Sequence, residues 1–313
     1  PPPPATPDPA SHSSLQMTDK GAKTRHLRMA TRLVKGGYRG SEWTTDPLGR
    51  SVVNPPVYHN STVTFPSTEA MKFAGSDWPF TGMFYGRHGN PTSWALEEAF
   101  CAMEGSDNAC VVGSGVAAMN AAVLAFVKTG DHVLCTDSVY EPTRTMCDKF
   151  LKRFGVETTY FSPLATAEEL AALARPDGTT KVVILESPAS LSFEIQDVPA
   201  LAAAAKSFGA VTVLDNTWGT SVFAPFEHGV DVSVNAATKF IGGHSDLMMG
   251  IVGCSRETYR AVKNSVKELG CPPGPDDCYL ALRGMRSLGV RMRQHFESGV
   301  ALAEWLEGRE EVA

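Results

Sequence analysis

Short apolar runs follow one another through the middle of the chain. Residues 110–112, 132–136, 158–161, 181–185, 211–214, 230–234 and 249–254 are rich in Val, Leu, Ile and Cys, and most are bounded by Gly, Asp or Pro. Runs of that length and punctuation predict strands. Between them, residues 116–127, 141–154, 166–174 and 198–208 read as helices. Strands alternating with helices predict an α/β fold: a mostly parallel sheet with helices on both faces. Such sheets bind ligands at the carboxyl ends of their strands, so reacting residues are expected directly after the apolar runs.

The flanks read differently. Residues 25–90 are rich in Gly and Pro and predict an arm of turns and short pieces, a length that is usually functional or partner-covering. Residues 278–306 predict one long helix, because Leu282, Met285, Leu288, Met292 and Phe296 recur at helical spacing with Arg283, Arg286 and Arg293 between them. Six prolines in residues 1–9 make residues 1–14 read as a disordered tail, with Met17 as a natural start. There is no internal repeat.

Composition narrows the class. With 43% hydrophobic and 20% charged residues over 313 positions, the chain has apolar surface for one large core or two domains, which excludes a wholly disordered chain. The longest apolar run, residues 121–127, is far short of the ~20 residues of a membrane-spanning helix. Lys plus Arg number 28 against 34 Asp plus Glu, a net charge of −6, which gives no general pull toward nucleic acid. The seven cysteines are odd in number, and no two have C-x-x-C spacing. Cys110 and Cys135 lie inside strand-like runs. They read as buried, reduced thiols rather than a disulfide or metal framework, which favours the cytoplasm. No apolar segment of signal-peptide type follows the early basic residues.

Two motifs carry chemistry. Gly113-Ser114-Gly115-Val116-Ala117-Ala118 follows one strand and opens a helix. Small residues there let an anion reach the free N–H groups at the positive end of the helix dipole, and a phosphate is the natural guest. The same residues fit the loose dinucleotide pattern, with Asp137 at the end of the next strand as a ribose-binding acid. This motif alone leaves the two open. The second motif is Asp215, directly after residues 211–214, followed by Thr238-Lys239 just past the next strand. A lysine at a strand's carboxyl end, flanked by small apolar residues, suits an amine that forms a Schiff base. Such a lysine suggests pyridoxal phosphate, whose ring nitrogen needs a carboxylate partner such as Asp215. A nicotinamide enzyme has no comparable use for the pair.

With these residues in place the sequence resembles the Cys/Met-metabolism family of pyridoxal-phosphate enzymes. The resemblance runs through Tyr85-Gly-Arg-His-Gly-Asn-Pro-Thr92, Gly113-Ser-Gly-Val-Ala-Ala118, Ser138-Val-Tyr-Glu-Pro-Thr143, Glu186-Ser-Pro188, Leu214-Asp-Asn-Thr-Trp218, residues 236–246 around Thr238-Lys239, and residues 282–295 of the long helix. It spans roughly residues 30–313 and implies an aspartate-aminotransferase-like large domain.

The resemblance also implies roles. Lys239 would hold the cofactor and move the substrate Cα proton. Asp215 would keep the ring nitrogen protonated, and Tyr140 would lie over the ring face. Gly115, Val116 and Thr238 would hold the phosphate. Tyr85 and Arg87 would reach the phosphate in a neighbouring subunit, within a homotetramer of two dimers that share active sites. His88 and His244 read as hydrogen-bonded structural residues, and no metal ligand set is expected.

The wording around Tyr140, Asp215 and Lys239 favours members that cleave cystathionine by α,β-elimination. So does Ser190, where γ-acting members usually carry Asn; a γ-acting synthase or γ-lyase and a broader cysteine-S-conjugate β-lyase are the alternatives. The domain expectation is a tail over 1–24, an intersubunit arm over 25–90, a cofactor domain over 91–275 and a linking helix over 276–313. Family members carry a smaller domain after that helix, which supplies the arginine for the substrate carboxylate. No residue here takes that role. The chain is therefore expected to be a fragment of a longer product, and a non-catalytic cofactor-binding piece is the alternative to an enzyme.

Overall fold

A computed structural model of the chain describes residues 26–37, 48–76 and 82–312. The expectations for the tail over 1–24 and for Met17 lie outside these residues.

Each of the seven apolar runs becomes a strand, with ends within two residues of those expected. They are β1 (Asn108–Val112), β2 (His132–Thr136), β3 (Glu157–Phe161), β4 (Thr180–Glu186), β5 (Val211–Asp215), β6 (Val232–Asn235) and β7 (Gly250–Cys254). They form one sheet in the order β1-β7-β6-β5-β4-β2-β3. Only β7 runs against its neighbours, antiparallel to β1 and β6, while the other pairs are parallel. β5, which ends in Asp215, is the middle strand.

Alternation along the strands sends side chains to two faces. Val133, Cys135, Val182, Ile184, Val213 and Val234 join one buried cluster. It is covered by α4 (Gly115–Leu124), α5 (Glu141–Thr145) with its π-helical continuation Met146–Leu151, and α8 (Tyr259–Leu269). On the other face, Leu134, Val183, Leu185 and Leu214 pack under α6 (Ala167–Ala172) and α7 (Val198–Ser207). Val111 and Ile251 pack there under α1 (Met29–Lys35), α3 (Pro91–Glu104) and α9 (Pro275–Glu307). A further helix, α2 (Thr68–Ser76), buries none of its residues. All seven cysteines are free, and six are buried.

The helix ends are written locally. Asn90 caps α3 by accepting the N–H groups of Thr92 (3.0 Å) and Ser93 (3.2 Å), with Pro91 in the first turn. Ser114 caps α4 by accepting the Ala117 N–H at 3.0 Å. The long helix α9 is two-part in burial. Cys278, Leu282, Met285 and Leu288 are buried, whereas Phe296 and Trp305 are 71% and 56% exposed.

Candidate active site

Three neighbouring strands end in polar residues at the same edge of the sheet. β4 ends in Glu186 and β5 in Asp215, and these two are register partners. β6 ends in Asn235, and the turn after it carries Thr238 and Lys239. That turn is held by the Lys239 N–H donating to the Ala236 carbonyl at 3.0 Å and the Gly243 N–H donating to the Lys239 carbonyl at 2.7 Å. From α9, Arg291 donates to the carbonyls of Phe240 at 2.6 Å and Ile241 at 3.2 Å, which pins the residues just past the lysine.

Thr217 stitches β5 to this turn. Its N–H donates to Asp215 Oδ1 at 3.0 Å, and its Oγ1 accepts the Ala236 N–H at 2.9 Å. The Lys239 side chain is exposed and places Nζ 4.9 Å from the centroid of the Tyr140 ring. Tyr140 is itself anchored through its backbone, whose N–H donates to Glu186 Oε2 at 2.7 Å. The Ser190 hydroxyl donates to the other oxygen of Glu186 at 2.6 Å.

The electrostatics follow from two carboxyls and one amine in a crowded space. Asp215 keeps some accessible surface, yet burial pushes its carboxyl above the usual range, opposed by the Thr217 hydrogen bonds and the Lys239 ammonium. Glu186 is 3% exposed. Burial first, and then the Asp215 charge beside it, push its carboxyl up to about 7.

Gly115 brings the glycine turn against the same edge. A Cβ at Gly115 would fall 2.8 Å from Ala236 Cβ, so only glycine lets the start of α4 pack on the turn that leads to Lys239. The N–H groups of Gly115 and Val116 precede the first bond of the helix ladder and find no acceptor among the described residues. The Thr238 hydroxyl bonds the Met249 backbone, accepting its N–H at 3.0 Å and donating to its carbonyl at 3.2 Å.

The structure therefore brings together Lys239, Asp215, Tyr140, Thr238, Gly115 and Val116. It does not bring Tyr85 and Arg87 to them. Arg87 donates to the Lys267 carbonyl at the end of α8 at 2.7 Å and lies 5.7 Å from the Tyr85 ring centroid, and Tyr85 is 41% exposed. Asp137 is ion-paired with Arg144. The His244 ring meets the Gly242 carbonyl at 2.8 Å. Glu186 and Thr217 belong to the site but had no role in the sequence reading. The same cue that marks Asp215, a carboxylate directly after an apolar run, was present at Glu186.

As chemistry, the edge offers an amine for a carbonyl carbon and an aromatic face for a flat ring. It also offers a carboxylate for a ring N–H, and a helix start for a phosphate. This donor set fits pyridoxal phosphate.

Comparison with known proteins agrees. The family model described as Cys/Met metabolism PLP-dependent enzyme matches residues 16–313. The chain is 39% identical over 289 residues to cystathionine β-lyase MetC of Escherichia coli, covering 91% of this chain and 71% of that one. It is 36% identical over 239 residues to O-succinylhomoserine sulfhydrylase of Pseudomonas aeruginosa, covering 76% of this chain and 58% of the relative. Among solved structures, metB from Corynebacterium glutamicum superposes with a TM-score of 0.81 at 29% identity, over 92% of this chain and 71% of that one.

Proposed function

The chain belongs to the Cys/Met metabolism family of pyridoxal-phosphate-dependent enzymes, and we propose that within it the chain cleaves L-cystathionine by α,β-elimination, giving homocysteine, pyruvate and ammonia. The observation that carries this reading is the Lys239 amine, 4.9 Å from the Tyr140 ring and electrostatically coupled to Asp215 at the next strand end. Pyridoxal phosphate, when bound, supplies the electron sink that makes a substrate Cα–H acidic. The rest is work for this chain's residues. Lys239 would hold the cofactor through its amine, and once freed by substrate would take the Cα proton and return a proton to the departing sulfur. Asp215 keeps a proton on the ring nitrogen, and Tyr140 covers the ring face. The N–H groups of Gly115 and Val116 and the Thr238 hydroxyl bind the phosphate.

Two things favour elimination at Cβ. One is Ser190, tied to Glu186 at 2.6 Å where γ-acting members usually carry Asn. The other is the name of the Escherichia coli relative. The Pseudomonas aeruginosa relative, a sulfhydrylase by name, keeps a γ-acting enzyme as the second reading. In both readings the chain assembles as a homotetramer of two dimers, residues 25–90 form the intersubunit arm, and Tyr85 and Arg87 serve a neighbour's phosphate. Residues 91–275 hold the cofactor and residues 276–313 link onward. The free cysteines suit a cytoplasmic enzyme.

The test is product analysis of the purified chain with pyridoxal phosphate and L-cystathionine. Pyruvate with homocysteine is expected. α-Ketobutyrate with cysteine would move the chain to the γ-acting branch, and cofactor binding without turnover would make it a cofactor-binding piece.

A further inference from the structure

Glu104, the last residue of α3, is 1% exposed. Among the described residues no cation pairs with it. Its carboxylate is held by neutral donors instead. Asn216 Nδ2 reaches both oxygens, at 2.9 and 3.1 Å, the Ser233 hydroxyl donates at 2.8 Å, and Asn235 Nδ2 donates at 3.1 Å. These donors come from two strand ends. Asn216 directly follows Asp215, and Asn235 is the last residue of β6, four positions before Lys239.

The clamp begins where the sheet stops. The last register pair of β5 and β6 is Asp215 with Val234, followed by one further bond from the Asn216 N–H to the Val234 carbonyl at 2.8 Å. Past that point the two chains separate into the turns that carry the site. Thr220 extends the network, donating to Asn235 Oδ1 and to the Thr217 carbonyl. Gly219 makes room for it, since a Cβ there would fall 2.2 Å from Asn216 Oδ1.

A buried carboxylate without a cation is a costly way to fill a core position. Burial pushes the Glu104 carboxyl up to about 7 despite its hydrogen bonds to Ser233, Asn216 and Asn235. An apolar residue would pack there without that cost. What the carboxylate adds is direction: its two oxygens accept from Asn216, Ser233 and Asn235 and so fix where those three side chains stand.

We propose that Glu104 is a positioning residue for the site: by clamping Asn216 to Asn235 it sets the separation between the Asp215 and Lys239 backbones, and so the seating of the cofactor ring. The proposal rests on the reading of Lys239 and Asp215 as the pair that holds pyridoxal phosphate. It predicts a difference between shape and charge. Glu104→Gln still accepts both Asn amides through its one oxygen, and its NH2 can donate to a turned Ser233 hydroxyl. Glu104→Leu leaves the Asn235 amide buried without an acceptor and Asn216 with only the Phe223 carbonyl, at 3.2 Å.

The test uses the full chain titrated with pyridoxal phosphate. It reads the dissociation constant, the circular dichroism of the cofactor band (which reports ring orientation), and borohydride trapping on Lys239. Leu170→Ala in α6, remote from the site, controls for lost stability. Glu104→Leu is expected to weaken cofactor binding about tenfold and to alter the dichroic band. Glu104→Gln stays within about threefold of the parent, and Leu170→Ala lowers the melting temperature without moving either readout. If Glu104→Leu does not fold, Asn235→Ala replaces it and is read the same way. Parent-like affinity and dichroism in the clamp variant overturn the proposal alone. A parent chain that forms no trappable band on Lys239 overturns both the proposal and the cofactor reading beneath it.

Discussion

Asp215 and Lys239 stand at strand ends tied together by hydrogen bonds across the sheet edge, whereas Tyr85 and Arg87 stand on an exposed turn. Around the first pair, Thr217, Glu186 and Arg291 each hold a backbone or side-chain atom in place. Around the second, Arg87 leans on the carbonyl end of α8 and Tyr85 keeps 41% of its surface. Preorganisation of a reacting amine needs a rigid, dry support, which a sheet edge supplies. A cation and an aromatic presented outward are what the proposed role at a neighbouring subunit's phosphate requires.

The largest effect should come from the first region. Lys239→Ala is expected to lower turnover about 10⁴-fold or more and to remove the borohydride-trapped label, measured by steady-state kinetics and peptide mass. Activity within tenfold of the parent would mean that the sheet edge is not where the reaction occurs. The second region is tested by mixing. Arg87→Ala and Lys239→Ala chains, each inactive or weak alone, should regain about a quarter of parental activity when refolded together, because a two-fold dimer of one of each rebuilds one intact site. No recovery would place Arg87 at its own chain's site or at none.

The smallest effect concerns pH. The Glu104 carboxyl lies at about 7 in the folded chain against its ordinary value of 4.5. The folded state therefore binds the extra proton. That contribution is fully present below about pH 4.5 and is lost as pH rises through 7. The melting temperature should fall across this window. Glu104→Gln, with no proton to exchange, should flatten that part of the slope, and an unchanged slope would refute the shift.

Much of the fold was legible because strands are local statements. Each apolar run could be read from a handful of adjacent residues, and all seven became strands. Four helices, α1, α2, α3 and α8, have no counterpart in the periodicity reading. The start of α3 was nonetheless written in Asn90-Pro91, a capping residue before a proline. At the site, Lys239 and Asp215 are reachable from motif and position, and Tyr140 only through the family resemblance. Glu186 is visible in the same terms, as a carboxylate directly after an apolar run. The hydrogen bond from Ser190 to Glu186 links the position that marks reaction type to the residue that anchors Tyr140.

The amino-acid sequence by itself determined the seven strands, the helix start at Gly115 and the amine and carboxylate that follow two of the strands, because period, capping and strand-end position are properties of near neighbours. Only the tertiary structure decided that β5 is central, that Glu186 stands beside Asp215, that Arg87 rests on α8, and that Glu104 ties Asn216 to Asn235. Those hydrogen bonds from Asn216 and Asn235 to Glu104 cross 112 and 131 positions of chain. Strand order and burial bring such groups together, and no local pattern encodes either.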